Sequence, residues 1–444
     1  MDNRFNQLIL NKIFKNLDLT SIKSCSLVNK QFNKAFNIDI LWNNLFISHY
    51  DKPIDKYKKI FETNSYKDTY KKYISLKYLK KILNLNHTII ILASLQILDL
   101  HGNGLISIPT EIGNLSSLKV LKLHDNNLTS IPAGIGNLSS LRELYLYNNK
   151  LTSIPDEIGN LALLQILELR YNKLTSISTG ICKLVSLQSL NLRDNDLTSL
   201  SIKIMNLTSL QILDLRNNSL TVIPQEICEL ESLEILDCGI NYLTTIPAEI
   251  SKLKKLKSLN LYNNKLTVIP TGIGGLESLK TLFLYDNNLT SIPTEIGNLI
   301  VLQNLYLENN YLTTIPAEIG NLISLQILNL GNNNLISIPA EIGNLESLQK
   351  LDLCNNRLTS IPAEIGNMAS LQYLDLCNNS LTSIPAEIGK LALLQNLNLC
   401  NNSLTSIPAE IKKLISLQIL DVRINNIAST WVEIKKPNLT IYQY

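Results

Sequence analysis

The sequence contains no uncharged apolar run long enough to cross a bilayer. A membrane-spanning helix needs roughly 20 consecutive apolar residues. The longest candidate, Ile89–Leu98, is shorter and is interrupted by Ser94 and Gln96. The first residues, Met1–Arg4, are polar, and no apolar segment with a cleavage site follows them. We therefore expect neither a membrane anchor nor a signal peptide.

The sequence also lacks an excess of charge of one sign, and it lacks closely paired cysteines. Only 17% of the residues are charged, and the formal net charge of +3 is too close to zero to indicate nucleic acid. The seven cysteines are an odd number and form no closely spaced pairs of the kind that cap extracellular repeat proteins. With no signal peptide, this favours a reducing cytoplasmic or nuclear location over secretion.

Signatures of catalysis are missing as well. There is no phosphate-cradling Gly-rich loop, no G-x-S-x-G, no H-E-x-x-H and no C-x-x-C. His101 and His124 occupy equivalent places in a repeated pattern, but no third metal ligand is evident. Cys354, Cys377 and Cys400 are also equivalent, and duplication of one repeat explains them. We therefore expect no enzyme activity, no cofactor and no metal.

What the sequence has is a regular internal repeat. From Leu95 onward the pattern L-x-x-L-x-L-x-x-N-x-L returns every 23 residues, fifteen times, without insertion or deletion. The first leucine of each repeat, position 1 below, is Leu95, Leu118, Leu141, Leu164, Leu187, Leu210, Leu233, Leu256, Leu279, Leu302, Leu325, Leu348, Leu371, Leu394 or Leu417. Such regularity predicts stacked repeats that bury a continuous core which one repeat alone could not form.

Each position of the repeat predicts a structural role. The alternation in L-x-L indicates a short strand with inward leucines, and stacking makes a parallel sheet with strands about 4.8 Å apart. Position 9 is asparagine in all fifteen repeats, from Asn103 to Asn425. A buried amide there could satisfy the backbone groups left unpaired as the chain leaves the strand. The segments L-T-S-I-P and x-E-I-G-N-L then predict a turn fixed by proline and a short helical turn.

This pattern resembles the typical 23-residue class of leucine-rich repeats, in the I-P-x-E-I-G-N-L variant of intracellular scaffolds and plant Ras-group-like repeats. The resemblance covers residues 92–434 and implies an α/β solenoid, a horseshoe with a parallel sheet on its concave face. The side chains at positions 3, 5, 7 and 8 vary between repeats. We expect them to face the concave surface and to determine which partner binds.

The first 45 residues break the period and show apolar residues at helical spacing, which predicts three short helices. Three elements follow in order: I-F-x-x-L from Ile13, L-V-x-K-x-F from Leu27 and L-W-x-x-L from Leu41. Together they resemble an F-box over residues 5–45. The F-box usually opens with Leu-Pro and an acidic residue, where this sequence has Phe5, Asn6 and Leu8.

The F-box resemblance implies docking onto the Skp adaptor of a cullin–RING ubiquitin ligase. The residues that it would bring to the adaptor, or to the support of that surface, are Phe5, Ile9, Ile13, Phe14, Leu27, Val28, Lys30 and Phe32. The lost Leu-Pro weakens the prediction of tight adaptor binding. The alternative is that this segment serves only as a helical cap for the solenoid.

The residues between these two regions are rich in lysine and tyrosine, a composition that could suit RNA or anionic lipid. We instead interpret them as an amphipathic connector that packs Tyr70, Tyr73, Ile74, Leu76, Tyr78 and Leu79 onto the first repeat. The predicted domains are an F-box-like helical domain at 1–50, a basic linker and cap at 51–91, the repeats at 92–434 and a C-terminal cap at 435–444.

Two groups of variable residues are candidates for the partner-binding surface. Arg170, Arg193 and Arg216 follow one another at position 7, where three guanidinium groups repel unless carboxylates or an anionic partner neutralise them. An aromatic group lies farther along the chain and is the better candidate, because aromatic residues are enriched at interaction hot spots. Its members are Tyr262, Phe283, Tyr285 and Tyr306.

Together these features predict the substrate-recognition subunit of an SCF-type cullin–RING ubiquitin ligase. Its expected partners are a Skp-type adaptor and one unidentified protein target, without nucleic acid or membrane, and we expect a monomer within the complex. The alternative is a non-enzymatic intracellular scaffold of the Ras-suppressor type. The asparagine-, isoleucine- and lysine-rich composition resembles repeat proteins of giant amoeba viruses or social amoebae.

Overall fold

The structure is a computed structural model that describes residues 55–61, 63–427 and 439–443. These residues form two compact units. The first contains the described residues up to Leu144 together with Pro155–Leu164, and the second contains Tyr145–Ile154 and the described residues from Gln165 onward. The F-box-like segment and all eight predicted adaptor-binding residues lie outside the described residues.

Each repeat contributes one three-residue strand at positions 3 to 5, as the alternation of leucines predicts. The strands are β1 (Ile97–Asp99), β2 (Val120–Lys122), β3 (Glu143–Tyr145), β4 (Ile166–Glu168), β5 (Ser189–Asn191), β6 (Ile212–Asp214), β7 (Ile235–Asp237), β8 (Ser258–Asn260), β9 (Thr281–Phe283), β10 (Asn304–Tyr306), β11 (Ile327–Asn329), β12 (Lys350–Asp352), β13 (Tyr373–Asp375), β14 (Asn396–Asn398), β15 (Ile419–Asp421) and β16 (Thr440–Tyr442).

Neighbouring strands pair in parallel. In the first unit β1 pairs with β2, and in the second unit every strand from β4 to β16 pairs with the next. The register is 23 residues, as in Asn304 opposite Ile327, so equivalent side chains stand side by side in columns. The last pair, Leu420 opposite Ile441, is offset by two residues from that period. The predicted solenoid with a parallel sheet is confirmed.

Within each unit, the position-9 asparagines form a ladder that joins neighbouring repeats. Asn333 is typical: its Oδ1 accepts the backbone N–H of Leu312 at 3.0 Å, and its Nδ2 donates to the carbonyls of Leu307 and Leu330 at 3.0 and 3.1 Å. One amide thus satisfies groups at the ends of two strands, in its own repeat and in the preceding one. Twelve of the fifteen asparagines are buried, as the sequence predicts.

The three asparagines that are not buried lie toward the ends of the repeat array. Asn103 is exposed, and its Nδ2 donates to the carbonyl of His101 in the same repeat at 3.2 Å. No repeat precedes it to receive the other bonds. Asn379 and Asn425 are half-buried but keep the ladder contacts. The expectation of a buried amide therefore fails at Asn103, where stacking begins.

The side opposite the strands consists of short 3-10 helices, which confirms the predicted helical turns. They span Thr110–Asn114, Ala133–Asn137, Asp156–Asn160, Ile181–Lys183, Ile202–Asn206, Gln225–Glu229, Ala248–Lys252, Thr271–Gly275, Thr294–Asn298, Ala317–Asn321, Ala340–Asn344, Ala363–Asn367, Ala386–Lys390 and Ala409–Lys413. Proline precedes most of them in extended conformation. Ser201 replaces it in one repeat, and its hydroxyl accepts the N–H of Lys203 at 3.3 Å.

The glycine of the G-N-L segment, at position 19, is required by close packing between repeats. A Cβ atom added at Gly320 would lie 2.3 Å from the carbonyl oxygen of Glu341 in the next repeat, and one at Gly297 would lie 2.5 Å from that of Glu318. Such contacts are too short for any side chain. A larger residue at this position therefore requires the next 3-10 helix to shift away.

Position 8 adopts the left-handed conformation throughout. Its φ lies between 49° and 57° in the fourteen repeats from Asp125 to Ile424. Asparagine and aspartate adopt this conformation more readily than other non-glycine residues, and they occupy eleven of these fourteen positions. The β-branched Ile240 and Ile424 adopt it as well, at a cost of about 1 kcal/mol or more each.

Three helices precede the first strand: α1 (Asp55–Ile60), α2 (Tyr66–Ile82) and α3 (Ile89–Ala93). Helix α2 contacts the first 3-10 helix, and the Nζ of Lys72 lies 3.3 Å from the Oγ of Ser116. Tyr70, Leu76 and Leu79 of α2 are buried, as predicted. Tyr78 is 48% exposed, so its predicted packing is wrong. The helical spacing turns Tyr78 away from the face that carries Leu76 and Leu79.

Within the described ranges, the helices are all too short or too polar to span a bilayer.

Removing one ladder amide should destabilise the solenoid far more than removing its neighbour. Asn333→Ala leaves the Leu312 N–H without its acceptor and removes one of the two ladder bonds at each of the Leu307 and Leu330 carbonyls, which keep the bonds from Asn310 and Asn356. We expect it to lower the free energy of unfolding by about 2–4 kcal/mol. Asn334→Ala, one residue along at a partly exposed position outside the ladder, is the matched control. Urea denaturation followed by circular dichroism measures both, and equal losses would contradict the role of the ladder.

Candidate protein-binding surface

The strand side of the second unit presents three columns of side chains, at positions 3, 5 and 7 of each repeat. Inward leucines at positions 4 and 6 are fully buried, as Leu305 and Leu307 illustrate. The residues between them therefore point away from the core. Because neighbouring strands are about 4.8 Å apart, side chains in one column are in contact range of one another. The surface can thus be described column by column.

The three arginines predicted at position 7 all lie close to carboxylates. The Nε of Arg193 is 2.7 Å from Asp194. Arg170 is 3.9 Å from Glu168, a long contact. Arg216 has two carboxylates near it, those of Asp214 and Asp237. Arg193 therefore has the strongest of the three ion pairs by geometry.

Arg216 lies between two aspartates, with its Nη2 3.5 Å from Asp214 and its Nε 3.8 Å from Asp237. These carboxylates raise the pKa of Arg216, although burial acts to lower it. Burial in turn raises the pKa of Asp237, while Arg216 and the N–H of Gly239 act to lower it. The positive charge is thus balanced inside the protein.

Tyrosine rings cover two of the arginines. The guanidinium carbon of Arg170 lies 4.5 Å from the ring centre of Tyr147, and that of Arg193 lies 5.6 Å from that of Tyr171. Stacking of this kind orders a guanidinium group and shields it from solvent. Together with the carboxylates, the rings make this region a neutralised network, so its attraction for an anionic partner is weak. Its role in partner binding stays a prediction.

The four predicted aromatic residues meet in one cluster, which we call the aromatic patch. Tyr262 stacks on Tyr285 in the position-7 column, with ring centres 4.6 Å apart and planes 15° apart. Phe283 stacks on Tyr306 in the position-5 column at 4.9 Å and 9°. Phe283 and Tyr285 join the two stacks edge to face at 6.4 Å. All four residues are partly exposed. Their contact is confirmed, and their role in binding stays a prediction.

The phenols of Tyr285 and Tyr306 are neutral at physiological pH. Burial raises the pKa of Tyr285 to about 12, and the neighbouring Tyr262 and Glu308 add to the effect. Burial and Glu308 also raise the pKa of Tyr306. The patch therefore presents uncharged rings with hydroxyl groups at their edges, a combination common at protein interfaces.

Glu308 is the next residue after Tyr285 in the position-7 column and was not among the predicted site residues. Burial raises its pKa to about 7, and Asp286 and Asp352 add to the rise while Lys350 opposes it. Its Oε2 atom is enclosed and finds no hydrogen-bond partner among the described residues. A carboxyl group so placed is only partly ionised at neutral pH.

The histidine and cysteine columns do not assemble a metal centre within the part of the chain that the structure describes. His101 and His124 stack at 4.8 Å, and each ring bonds an aspartate, Asp99 and Asp125 respectively. Burial and nearby carboxylates raise the pKa of the Cys354 thiol to about 12. Burial likewise raises the pKa of Cys377 and of Cys400. These thiols are protonated and are poor nucleophiles and metal ligands.

A groove of 960 Å³ lies on the 3-10 side of the second unit, and none of the predicted site residues lines it. Cys182, Val185 and Met205 contribute its apolar part, and Glu229 and Lys252 form an ion pair of 2.6 Å at its edge. The signal in the sequence is the loss of the position-19 glycine. Four successive repeats replace that glycine with Cys182, Met205, Cys228 and Ser251.

Comparison with protein families gives two matches over the repeats and one before them. A model described as a leucine-rich repeat region matches residues 175–269, 200–294, 246–335 and 272–363. A model described as leucine rich repeat matches residues 93–151, 139–197, 346–404 and 369–427. An F-box-like model matches residues 8–48. A search of curated proteins gave no match.

Solved structures with similar folds come from several kinds of organism. A leucine-rich-repeat protein of Leptospira interrogans is 40% identical over 79% of this chain and 94% of that one, with a TM-score of 0.66. The plant peptide hormone receptor RGFR1 in complex with RGF2 is 35% identical over 74% of this chain and 63% of that one, with a TM-score of 0.58. An internalin of Listeria monocytogenes is 25% identical over 72% and 93%, with a TM-score of 0.60.

Replacing the buried carboxyl group by an amide should stabilise the protein above neutral pH. Because the pKa of Glu308 is higher folded than unfolded, its ionisation costs stability as the pH rises from about 4.5 to about 7, and the full cost remains above that. We expect Glu308→Gln to raise the free energy of unfolding by about 1 kcal/mol at pH 8, after allowance for solvent screening, and by much less at pH 5.

Thermal unfolding at pH 5 and pH 8 measures this effect, and Glu341→Gln is the control because Glu341 is exposed on a 3-10 helix. A gain that is the same at both pH values would show that ionisation of Glu308 is not its cause.

Proposed function

The chain belongs to the leucine-rich-repeat proteins, and we propose that it is the substrate-recognition subunit of an SCF-type cullin–RING ubiquitin ligase. F-box-like and leucine-rich-repeat modules indicate a protein-interaction role. The observation that carries the finer proposal is their order in one chain. An F-box-like segment at residues 8–48 is followed by repeats that present a variable surface.

In this proposal the two modules bind different proteins. The F-box-like segment holds a Skp-type adaptor through the apolar side chains predicted above, and the strand side of the repeats holds the target. The aromatic patch is the centre of the target surface, because stacked, partly exposed aromatic residues supply large contact area at low entropic cost. The arginine network borders it, with Arg216 near Tyr262.

The helices α1 to α3 support a separate role for the F-box-like segment. Helix α2 contacts the first 3-10 helix, α1 and α3 pack on α2, and Leu76, Leu79 and Leu92 are buried. The end of a repeat array needs a cap to cover its apolar core. Since residues after 54 supply that cover, the array does not require the segment at 8–48 as its cap.

The protein contributes position and no chemical step. A ligase transfers ubiquitin from its carrier to a lysine of whatever protein is held nearby. Binding adaptor and target at once makes that transfer effectively intramolecular and raises the effective concentration of target lysines. Stacked repeats suit this role, because their registered strands hold the side chains of the target surface in fixed columns.

The departures at Phe5, Asn6 and Leu8 favour a second candidate, a leucine-rich-repeat scaffold that binds no adaptor. The two candidates share the target surface. Adaptor binding alone distinguishes them.

The full chain should co-purify with a eukaryotic Skp adaptor as a one-to-one complex on size-exclusion chromatography. Ile13→Asp should weaken adaptor affinity at least tenfold, because it places a charge on a surface that must be dehydrated on binding. Ile106→Asp is the matched control, since Ile106 is 70% exposed and lies among the repeats. Calorimetric titration of adaptor into each protein measures the affinities.

Deletion of residues 1–50 should abolish the complex. Failure of the intact chain to retain the adaptor would leave the scaffold as the function.

A further inference from the structure

The side of the aromatic patch toward β11 and β12 carries excess negative charge. At positions 3, 5, 7 and 8 of the four repeats that begin at Leu279, Leu302, Leu325 and Leu348, three carboxyl groups stand against one ammonium group. The carboxyl groups are Asp286, Glu308 and Asp352, and the ammonium group is that of Lys350. The Nζ of Lys350 lies over the ring of Tyr373 at 5.0 Å, so this cation is already engaged.

Glu308 is the group whose environment is least satisfied. It lies one strand beyond Tyr285 in its column and two residues after Tyr306, and its charge acts on both phenols. Asp286 and Asp352 disfavour its ionisation. In the part of the chain that the structure describes, no donor reaches its enclosed Oε2. A positive group placed here would restore full ionisation and remove the conflict.

The next residue in the column, Gly331, is buried and places no side chain beside Glu308. A Cβ added there would meet the Cys354 Sγ at 3.1 Å, the Asp352 Oδ1 at 3.2 Å and the Asn329 Oδ1 at 3.4 Å. The position is therefore rimmed by electron-rich atoms, two of which are strong hydrogen-bond acceptors.

We propose that the aromatic patch and the carboxyl groups beside it form a receptor for an arginine side chain of the target protein. The guanidinium lies against the free face of Tyr306 or Tyr285 and pairs with Glu308, and Asp352 and Asn329 accept its remaining N–H groups. This inference rests on the proposed function only in assigning the arginine to a target.

Arginine fits these groups better than lysine does. A guanidinium is planar, stacks on aromatic faces and offers five donors in a fixed fork, whereas an ammonium group is compact and strongly hydrated. Cation–π attraction and charge-assisted hydrogen bonds then act on the same group. The arginine network of this chain already uses the same pairing, where Arg193 meets both Asp194 and the ring of Tyr171.

The test is binding of a fluorescein-labelled nonapeptide of alternating glycine and arginine to the full chain, followed by fluorescence anisotropy. A peptide with citrulline in place of arginine has nearly the same shape without the charge, and we expect it to bind at least tenfold more weakly. A lysine version should bind at least threefold more weakly than the arginine peptide.

Two substitutions locate the site. Glu308→Gln and Tyr306→Leu should each reduce affinity for the arginine peptide at least fivefold. Their matched controls are Glu341→Gln, on a 3-10 helix, and Tyr311→Leu, whose ring is 55% exposed away from the patch. The controls should bind as the unaltered chain does. Melting temperatures of all four variants verify that each is folded.

A pH series gives an independent readout. The groups that face Glu308 are Asp286, Asp352, Lys350 and the phenols of Tyr285 and Tyr306. Only Glu308 has its pKa raised to about 7 among them, so affinity should rise between pH 5.5 and pH 8 in the unaltered chain and stay level in Glu308→Gln.

Equal binding of the citrulline peptide, or unchanged affinity of Glu308→Gln, overturns the receptor. Equal binding of the lysine peptide overturns the choice of guanidinium. Adaptor capture is measured separately, so loss of the peptide result with adaptor capture intact refutes this inference alone.

Discussion

The asparagine ladder is the interaction on which the rest of this structure depends. A typical amide of the ladder bonds the carbonyl at the end of its own strand and both a carbonyl and an N–H of the preceding repeat, as Asn333 does with Leu330, Leu307 and Leu312. Without it, the bend after every strand would bury unpaired backbone groups. Because the same bend recurs at a constant interval, strands align in register and their side chains form columns. The columns on the strand side are a consequence of that alignment.

The constant period explains why so much could be predicted from the sequence. Once a 23-residue repeat is recognised, a residue's position in the repeat gives its place in the fold, so the stacking of Tyr262 on Tyr285 follows from their spacing alone. The strands, the helical turns and the ladder follow in the same way. Asn103 departs from the pattern because a repeat at the end of the array has a neighbour on one side only.

Other features depend on side-chain conformation and local dielectric, which a repeat pattern does not encode. The ion pairs of Arg193 and Arg216 require particular rotamers of neighbouring aspartates. The raised pKa of Glu308 depends on how deeply its carboxyl group is enclosed. The groove at Cys182 and Met205 depends on how far two turns separate when glycine is lost. These are properties of contacts between repeats and not of any one repeat.

At Glu308, the proposed binding role and the stability of the free protein make opposite demands. A carboxyl group beside other carboxyl groups and aromatic rings is unfavourable in the free protein. A solenoid can tolerate that cost because its stability is roughly a sum over repeats and their interfaces, so the penalty stays with the repeats around Glu308. Local strain of this kind is common where a binding group must be preorganised.

The left-handed backbone conformation at position 8 restricts which side chains this column of the surface carries. Eight of its fourteen non-glycine occupants are asparagine and three are aspartate, since few other side chains accept that backbone geometry cheaply. The position-8 column therefore presents nearly the same side chains in every repeat. In the proposed function, discrimination between partners falls to the columns at positions 3, 5 and 7, where the backbone does not restrict the side chain and aromatic, acidic and basic residues all occur.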